Sequence, residues 1–111
     1  MEKLTSYRTY IQELLSAYAR PSKLDGEAET ELIFDLERDH YQVVHTGWRN
    51  RRPVYGPVLH LDIKDGKIWI QHDGTEIGIA DELVKLGVPK SDIVLAFHEP
   101  FMRQYTGFAV G

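Results

Sequence analysis

Histidines and acids cluster in the middle of the chain, where their spacing could support metal binding or proton transfer. His60 and Asp62 are two residues apart, and His72 directly precedes Asp73. Imidazole and carboxylate groups bind zinc and other divalent metals, but a site needs three or four of them converging on one point. Together with Glu76, the last two residues could instead form an acid–base group, since histidine titrates near neutral pH.

A turn signal in the same region decides whether these side chains can meet. The dipeptide Asp65-Gly66 separates two alternating runs, LHLDIK and KIWIQH. It predicts a two-residue hairpin, because a type I′ turn needs positive φ at both central positions. In the register that this turn sets, His72 lies opposite Leu59 on the apolar face, while His60 lies on the other face. We therefore expect no metal site.

The stretch that follows is explained more simply as the start of a helix. Asp73 and Gly74 turn the chain, Thr75 is a plausible N-cap, and Glu76 suits the positive end of a helix dipole. The segment DGTEIG matches neither of the glycine-rich phosphate-binding patterns. No serine or cysteine nucleophile motif accompanies His72. We predict no catalytic residues and no cofactor.

A second candidate site is the basic segment WRNRRPVY. It places Arg49, Arg51 and Arg52 between Trp48 and Tyr55. Arginine beside aromatic rings suits phosphate contact or base stacking, although such a segment is more often a solvated hairpin tip. DNA or RNA contact by these arginines is the alternative that we keep open.

Aromatic residues are frequent in the last part of the chain, which is unusual for a free terminus. We expect this tail to dock on the body of the protein or on another subunit, because aromatic residues are enriched in cores and interfaces. The candidate interface or pocket residues are Trp48, His60, Asp62, Trp69, His72, Phe101, Tyr105 and Phe108.

The bulk numbers place limits on the class of protein. A length of 111 residues, with 42% hydrophobic and 27% charged residues, predicts a single globular domain over residues 1–111. There is no cysteine, no signal-peptide core and no apolar run long enough for a bilayer, so a cytoplasmic, non-membrane protein is expected. The net charge of −4 disfavours non-specific nucleic-acid binding.

Apolar spacing predicts helices at two places. The first lies near the N-terminus and ends at Pro21, where a loop over residues 21–28 begins. The second ends at Gly87 and precedes a short helix at residues 89–93 and a strand in SDIVLAFH. The apolar stripes are Leu4, Tyr7, Ile11, Leu14 and Tyr18 for the first helix, and Ile79, Leu83 and Leu86 for the second.

Alternating patterns predict strands between the helices. ETELIFDLERD shows one apolar face, with Leu32, Phe34 and Leu36, and YQVVHTGW returns antiparallel to it. PVYGPVLHLDIK is a third strand, whose Pro53 and Pro57 suggest an edge position or an irregular start. The fold class is therefore α+β: an N-terminal helix, a four-stranded and mainly antiparallel meander, a helix and a further C-terminal strand.

Three long segments resemble a known family. ERDHYQVVHTGW (Glu37–Trp48), HLDIKDGKIWIQHDGTEIGIADELVKLGVPKSDIVLAFHEP (His60–Pro100) and RQYTGFAVG (Arg103–Gly111) are similar to the XisI family, the fdxN element excision controlling factors of cyanobacteria. The resemblance extends from about Leu4 to the end of the chain.

This resemblance implies a controlling role in excision of a DNA element during cell differentiation. It implies an XisH-type partner and a separate recombinase that carries out strand exchange, and it carries no catalytic residues over to this chain. The leading hypothesis is a non-enzymatic accessory protein that acts through protein–protein contact, with a homo-oligomer expected. A small metal-dependent hydrolase built on His60, Asp62, His72 and Asp73 is the third alternative.

Overall fold

The computed structural model describes residues 2–19 and 28–111, and the elements in these ranges follow the predicted order. The predicted stop at Pro21 and the loop after it lie outside the described residues, apart from residue 28. Two short 3₁₀ helices, Lys90–Asp92 and Pro100–Tyr105, flank the last strand. The helices and strands are α1 (Lys3–Ala19), β1 (Glu29–Asp35), β2 (His40–Arg49), β3 (Arg52–Lys64), β4 (Lys67–Asp73), α2 (Ile79–Lys85) and β5 (Ile93–Leu95).

Within the part of the chain that the structure describes, five strands form one sheet in the order β1-β2-β3-β4-β5. The first four make an antiparallel meander, and β5 runs parallel to β4. This arrangement confirms the predicted α+β class. Among the described residues, no helix is long and apolar enough to cross a membrane.

The two prolines of β3 are explained by local pairing. Of the two predicted alternatives, β3 as a whole is not an edge strand, because it lies between β2 and β4. However, pairing with β4 begins only at Leu59, so the half of β3 that carries Pro53 and Pro57 pairs with β2 alone. A bulge at Val58 interrupts the pairing next to the second proline, which agrees with the predicted irregular start.

Both helices pack on one face of the sheet, called here the inner face. Tyr7, Ile11 and Leu15 of α1 are buried against the sheet, and Leu4, Leu14 and Tyr18 are partly buried beside them. Burial of such side chains contributes about 1.5–3 kcal/mol each. The helix stripe read from the sequence is thus confirmed, with Leu15 more deeply buried than Leu14.

Polar groups lock α1 onto the sheet at two points. The Arg8 guanidinium donates to both carboxylate oxygens of Asp39, at 2.8 and 3.1 Å, and the hydroxyl of the buried Tyr41 donates to the same carboxylate at 2.8 Å. At the other point, Tyr7 and Lys3 donate to Asp92. Each carboxylate therefore ties a distant part of the chain to the helix.

The Asp92 contact predicts a measurable acid dependence. Burial raises the pKa of Asp92, but hydrogen bonds from Tyr7 and Lys3 hold it below the ordinary 3.8. The contribution to stability is therefore present above pH 3.8 and is lost as pH falls through the folded-state pKa. Asp92→Asn should lower the free energy of unfolding by about 1–2 kcal/mol at pH 7. Urea unfolding should show this deficit shrinking at acidic pH, and an equal deficit at both extremes would contradict it.

The strand β1 corrects part of the predicted apolar face. Of the three predicted residues, only Phe34 packs against the core, whereas Leu32 is 42% exposed and Leu36 is 57% exposed. Leu36 is not in the strand, because the Asp35 carboxylate accepts hydrogen bonds from the next backbone N–H groups and turns the chain there. Leu32 lies on the edge strand of the sheet.

The β3–β4 hairpin confirms the predicted turn but not the whole register. Asp65 and Gly66 have φ values of 54° and 77°, and Leu61 lies opposite Ile70 as expected. A bulge at Gln71 then adds one residue to β4, which reverses the faces of every residue after it.

This bulge overturns the predicted positions of the residues that follow. His72 lies opposite His60, not opposite Leu59, and it is exposed rather than turned to the apolar face. Asp73 takes the position opposite Leu59 and points toward α2. His72 and His60 therefore share the outer face, which is the face of the sheet opposite the helices.

The start of α2 differs from the predicted cap. The helix begins at Ile79, after Gly78 with φ 73°, so Thr75 is not its N-cap. Asp73 supplies the acceptor instead, because its carboxylate receives the N–H groups of Thr75 and Ile79, both at 2.8 Å. At the other end, Gly87 has φ 111° and ends the helix as predicted.

The buried stripe of α2 is shorter than predicted. Ile79 and Leu83 are buried, whereas Leu86 is 40% exposed. Val88 is buried in its place, because the chain turns back at Gly87 and the N–H of Val88 donates to the carbonyl of Leu83.

Replacement of Asp73 by alanine should show how much its carboxylate contributes to the stability of the fold. Loss of a helix-capping carboxylate should lower the free energy of unfolding by about 1–2 kcal/mol, measured by urea titration. The control is Glu76→Ala, which removes an exposed acid from the same turn and should change stability by less than about 0.5 kcal/mol. Equal effects of the two changes would show that the carboxylate does not hold the helix.

Candidate functional site

A polar cluster lies on the outer face, where β2 and β3 run side by side. His40 and Asp62 are cross-strand partners, and His60 precedes Asp62 by two residues on the same face. The Nδ1 atom of His40 lies 2.8 Å from Asp62 Oδ1, and the Nε2 atom of His60 lies 2.9 Å from the same oxygen. Both imidazoles therefore converge on one carboxylate oxygen.

The other residues singled out for chemistry do not join this cluster. Asp73 is occupied by the hydrogen bonds that start α2, and Glu76 is exposed. Among the described residues, one group of three metal-ligating side chains converges, and it contains His40 but not His72. The residues of the hydrolase hypothesis therefore do not converge, because His60 and Asp62 lie in the cluster and Asp73 lies at the start of α2.

Sequence reasoning missed His40. Its membership depends on the β2–β3 register, which places it opposite Asp62. That register is set by an Asn50-Arg51 turn that lacks glycine and by the bulge at Val58, which shifts the pairing by one residue, so no strong turn signal pointed to it.

The basic segment forms the tip of the β2–β3 hairpin. Asn50 and Arg51 have φ values of 51° and 67°, which makes a two-residue turn between the paired Arg49 and Arg52. The pairing of β1 with β2 ends at Thr46, and the β2–β3 pairs from Gly47 onward extend past that point. Residues 47–54 are called here the hairpin arm.

The two faces of the hairpin arm carry different side chains. Trp48 lies on the same face as Tyr55, just beyond the arm, whereas Arg49 and Arg52 lie on the opposite face, because alternate residues of a strand face opposite ways. All of these side chains are exposed. A ligand stacked on the rings of Trp48 and Tyr55 would therefore lie on the face opposite to the side chains of Arg49 and Arg52.

The electrostatics of the hairpin arm depend on its arginines. Burial lowers the pKa of His45, and Arg49 lowers it further, so this histidine adds less positive charge beside the hairpin arm than an exposed histidine would. Within residues 2–19 and 28–111, no ion pair involves Arg49, Arg51 or Arg52. Their guanidinium groups are thus available to an anionic ligand.

The aromatic tail docks on the body of the protein. The guanidinium of Arg103 donates to the carbonyls of His98 and Ala96, at 3.0 and 3.1 Å. The N–H of Ala109 donates to the carbonyl of Ile93 at 2.8 Å, and Phe108 packs against the core. These contacts fix the 3₁₀ helix Pro100–Tyr105 between two anchored points.

Trp69 supports the same region from β4. Its indole N–H donates to the carbonyl of Lys64 at 3.0 Å, and the ammonium of Lys64 lies 4.0 Å from the ring centroid. The Arg103 guanidinium lies 5.6 Å from the same ring. Trp69 and Phe108 therefore help to hold the tail, whereas Phe101 and Tyr105 do not.

Large apolar side chains on the tail remain exposed. Phe101 is 63% exposed and Tyr105 is 68% exposed, and their rings meet edge to face with centroids 6.0 Å apart. Phe97 and Met102 are also exposed. These four residues are called here the C-terminal surface, and they present apolar area on a hydrogen-bonded backbone.

Comparison with known proteins agrees with the architecture. The XisI protein family model matches residues 1–110. The crystal structure of a XisI-like protein from Anabaena variabilis is 44% identical, with a TM-score of 0.92, over 97% of this chain and 99% of that chain. The crystal structure of the fdxN element excision controlling factor XisI from Anabaena variabilis is 40% identical, with a TM-score of 0.88, over 99% of this chain and 100% of that chain.

No curated protein matches the chain. The family model covers nearly its whole length, and the two solved structures share both fold and more than a third of the residues. The chain therefore belongs to the XisI family.

Proposed function

We propose that this protein is a non-enzymatic controlling factor for excision of a DNA element, and that it acts through contact with an XisH-type partner. One of the similar structures is named as an fdxN element excision controlling factor, which supports the role in excision control. The observation that carries the proposed contact is the C-terminal surface, with Phe101 and Tyr105 exposed on an anchored helix.

Physical chemistry favours this surface as a protein-binding site. Exposed aromatic groups clustered on a monomer are often interaction sites, and tyrosine is enriched among the residues that dominate binding energy. The backbone beneath Phe101 and Tyr105 is already ordered by the Arg103 hydrogen bonds. A partner would therefore bind without the entropic cost of ordering a tail.

The proposed absence of catalysis is supported by three aspartates whose carboxylates accept hydrogen bonds that hold the helices in place. Asp73 holds α2, Asp39 holds Arg8 and Tyr41, and Asp92 holds the start of α1. Each of these carboxylates has a structural partner. A protein that acts by binding a partner needs a stable fold beneath its binding surface, and these contacts stabilise the fold.

Co-expression with the XisH-type protein tests the proposal. A tag on the partner should retain this chain through washes at mild salt, because an apolar contact depends little on ionic strength. Light scattering of this chain alone should show whether it is a dimer, the expected homo-oligomer. Failure to co-purify, with both proteins folded by circular dichroism, would contradict the proposed contact.

Direct DNA contact is a second candidate, favoured by the hairpin arm. Arg49, Arg51 and Arg52 are exposed on a projecting turn, and among the described residues none of them is in an ion pair. If all three contacted phosphate, the logarithm of the DNA affinity should fall with the logarithm of salt concentration with a slope of about −2.7.

Replacement of all three arginines by alanine should remove that salt dependence and weaken DNA binding. The measurement is fluorescence anisotropy with duplex DNA at several salt concentrations. The control is Arg38→Ala, which removes an exposed arginine from the β1–β2 turn and should leave the slope unchanged. DNA affinity that is identical in the triple variant would exclude the hairpin arm as the contact.

A further inference from the structure

The outer-face cluster brings three metal-ligating side chains together from two adjacent strands. Cross-strand pairing puts His40 beside Asp62, and the two-residue strand period puts His60 on the same face. Their ligand atoms all lie within 4.8 Å of one another. The backbone of a sheet, rather than a loop, therefore sets the spacing of the three groups.

The distances in the cluster fit a metal ion as well as a hydrogen-bond network. Bonds of about 2.0–2.1 Å that meet at about 90–110° place ligand atoms about 3 Å apart. The two imidazole nitrogens lie 2.8 and 2.9 Å from Asp62 Oδ1, close to that spacing. An ion at this site would lie between three ligand atoms that are all within 4.8 Å of one another.

Two glutamines supply outer contacts to the ligands. The side-chain amide of Gln71 donates to Asp62 Oδ2 at 3.3 Å, which leaves Oδ1 for the two imidazoles. The amide of Gln42 lies 3.4 Å from Nδ1 of His60, the ring nitrogen that faces away from the carboxylate. Partners on the far side of metal-binding groups fix the orientation and tautomer of those groups.

Two neighbouring charged groups on the outer face are held by partners outside the cluster. The ammonium of Lys64 is held over the Trp69 ring, and Asp35, the other cross-strand neighbour of His40, is paired with Arg38. The side chain of Asp62 is 16% exposed and that of His40 is 54% exposed. The carboxylate is thus sheltered, while one side of the cluster faces solvent.

From this geometry we infer that His40, His60 and Asp62 bind one divalent transition-metal ion of the kind that accepts imidazole and carboxylate ligands. His40 Nδ1, His60 Nε2 and Asp62 Oδ1 are the ligand atoms, and water completes the coordination on the solvent side. For His60 Nε2 to bind the ion, its ring proton moves to Nδ1, and the Gln42 amide turns its oxygen toward that proton.

Zinc titration of the full chain tests this site. Protein freed of its purification tag and of metal by chelator dialysis is titrated with zinc chloride in a calorimeter, and it should bind one equivalent per chain. His40→Ala should weaken the affinity at least about tenfold, since loss of an outer partner alone costs roughly 10–100-fold. The matched control is His98→Ala, which removes an exposed histidine outside the cluster and should leave zinc affinity unchanged.

A second measurement needs no variant. Nitrogen-15 spectra of the histidine side chains should show zinc-dependent shifts at Nδ1 of His40 and at Nε2 of His60, with His98 unaffected. The site is overturned by the absence of saturable binding up to millimolar zinc. It is equally overturned by affinity that is unchanged in a folded His40→Ala variant, or by shifts confined to other histidines.

Discussion

The double change Phe101→Ser and Tyr105→Ser should weaken affinity for the XisH-type partner by at least about a hundredfold, because the few residues that dominate an interface contribute about 2 kcal/mol or more each. Both side chains are more than half exposed, so their loss should leave the free energy of unfolding nearly unchanged. Calorimetry or biolayer interferometry measures the affinity, and thermal melting checks the fold.

The matched control for this change is Tyr55→Ser. Tyr55 is 82% exposed, but it lies next to the hairpin arm rather than on the C-terminal surface. Its replacement should alter partner affinity by less than about threefold. The reverse pattern, with the tyrosine of β3 essential and the tail residues dispensable, would move the interface to the hairpin arm.

Replacement of Asp39 by alanine should be the most destabilising of the changes considered. It removes the acceptor of the Arg8 guanidinium and of the buried Tyr41 hydroxyl, and an unsatisfied buried hydroxyl costs about 1–3 kcal/mol. Alanine also tolerates the φ of 61° at this position poorly, at a cost of about 1–2 kcal/mol. Urea unfolding should show a total loss of about 3 kcal/mol, a large part of a typical domain stability.

Two further variants separate these contributions. Asp39→Asn accepts the positive φ and can still receive the Tyr41 hydrogen bond, so it should cost about 1–2 kcal/mol through the weakened Arg8 contact. Asp39→Gly removes the backbone strain but not the loss of the acceptor, so it should be more stable than the alanine variant. If all three variants unfold at the same urea concentration as the wild type, the carboxylate does not hold α1 on the sheet.

The sequence predicted the elements of the fold because local patterns decide them. Asp65-Gly66 specified the last antiparallel hairpin, and the register that it sets is correct as far as the Leu61–Ile70 pair. The bulge at Gln71 had no comparable signal, since no glycine or proline marks it. One inserted residue was enough to move His72 to the outer face and Asp73 to the helix.

The candidate sites were predicted only in part, because some are visible as local runs of residues and others depend on contacts between distant residues. The exposed arginines of the hairpin arm were visible in the sequence as a basic run. The partnership of His40 with Asp62 depends on the turn at Asn50-Arg51 and on the bulge at Val58 together, and a single sequence specifies such a register weakly. The exposure of Phe101 and Tyr105 depends on which tail residues are buried by docking, and their aromatic type alone did not reveal it.

Amide hydrogen exchange of this chain, alone and with the XisH-type partner, tests the central claim most directly. The proposed contact predicts slower exchange of the backbone N–H groups over residues 96–106, which carry the C-terminal surface, and no change in the hairpin arm. Slower exchange confined to residues 47–54, or no change anywhere at saturating partner, would contradict binding through the C-terminal surface.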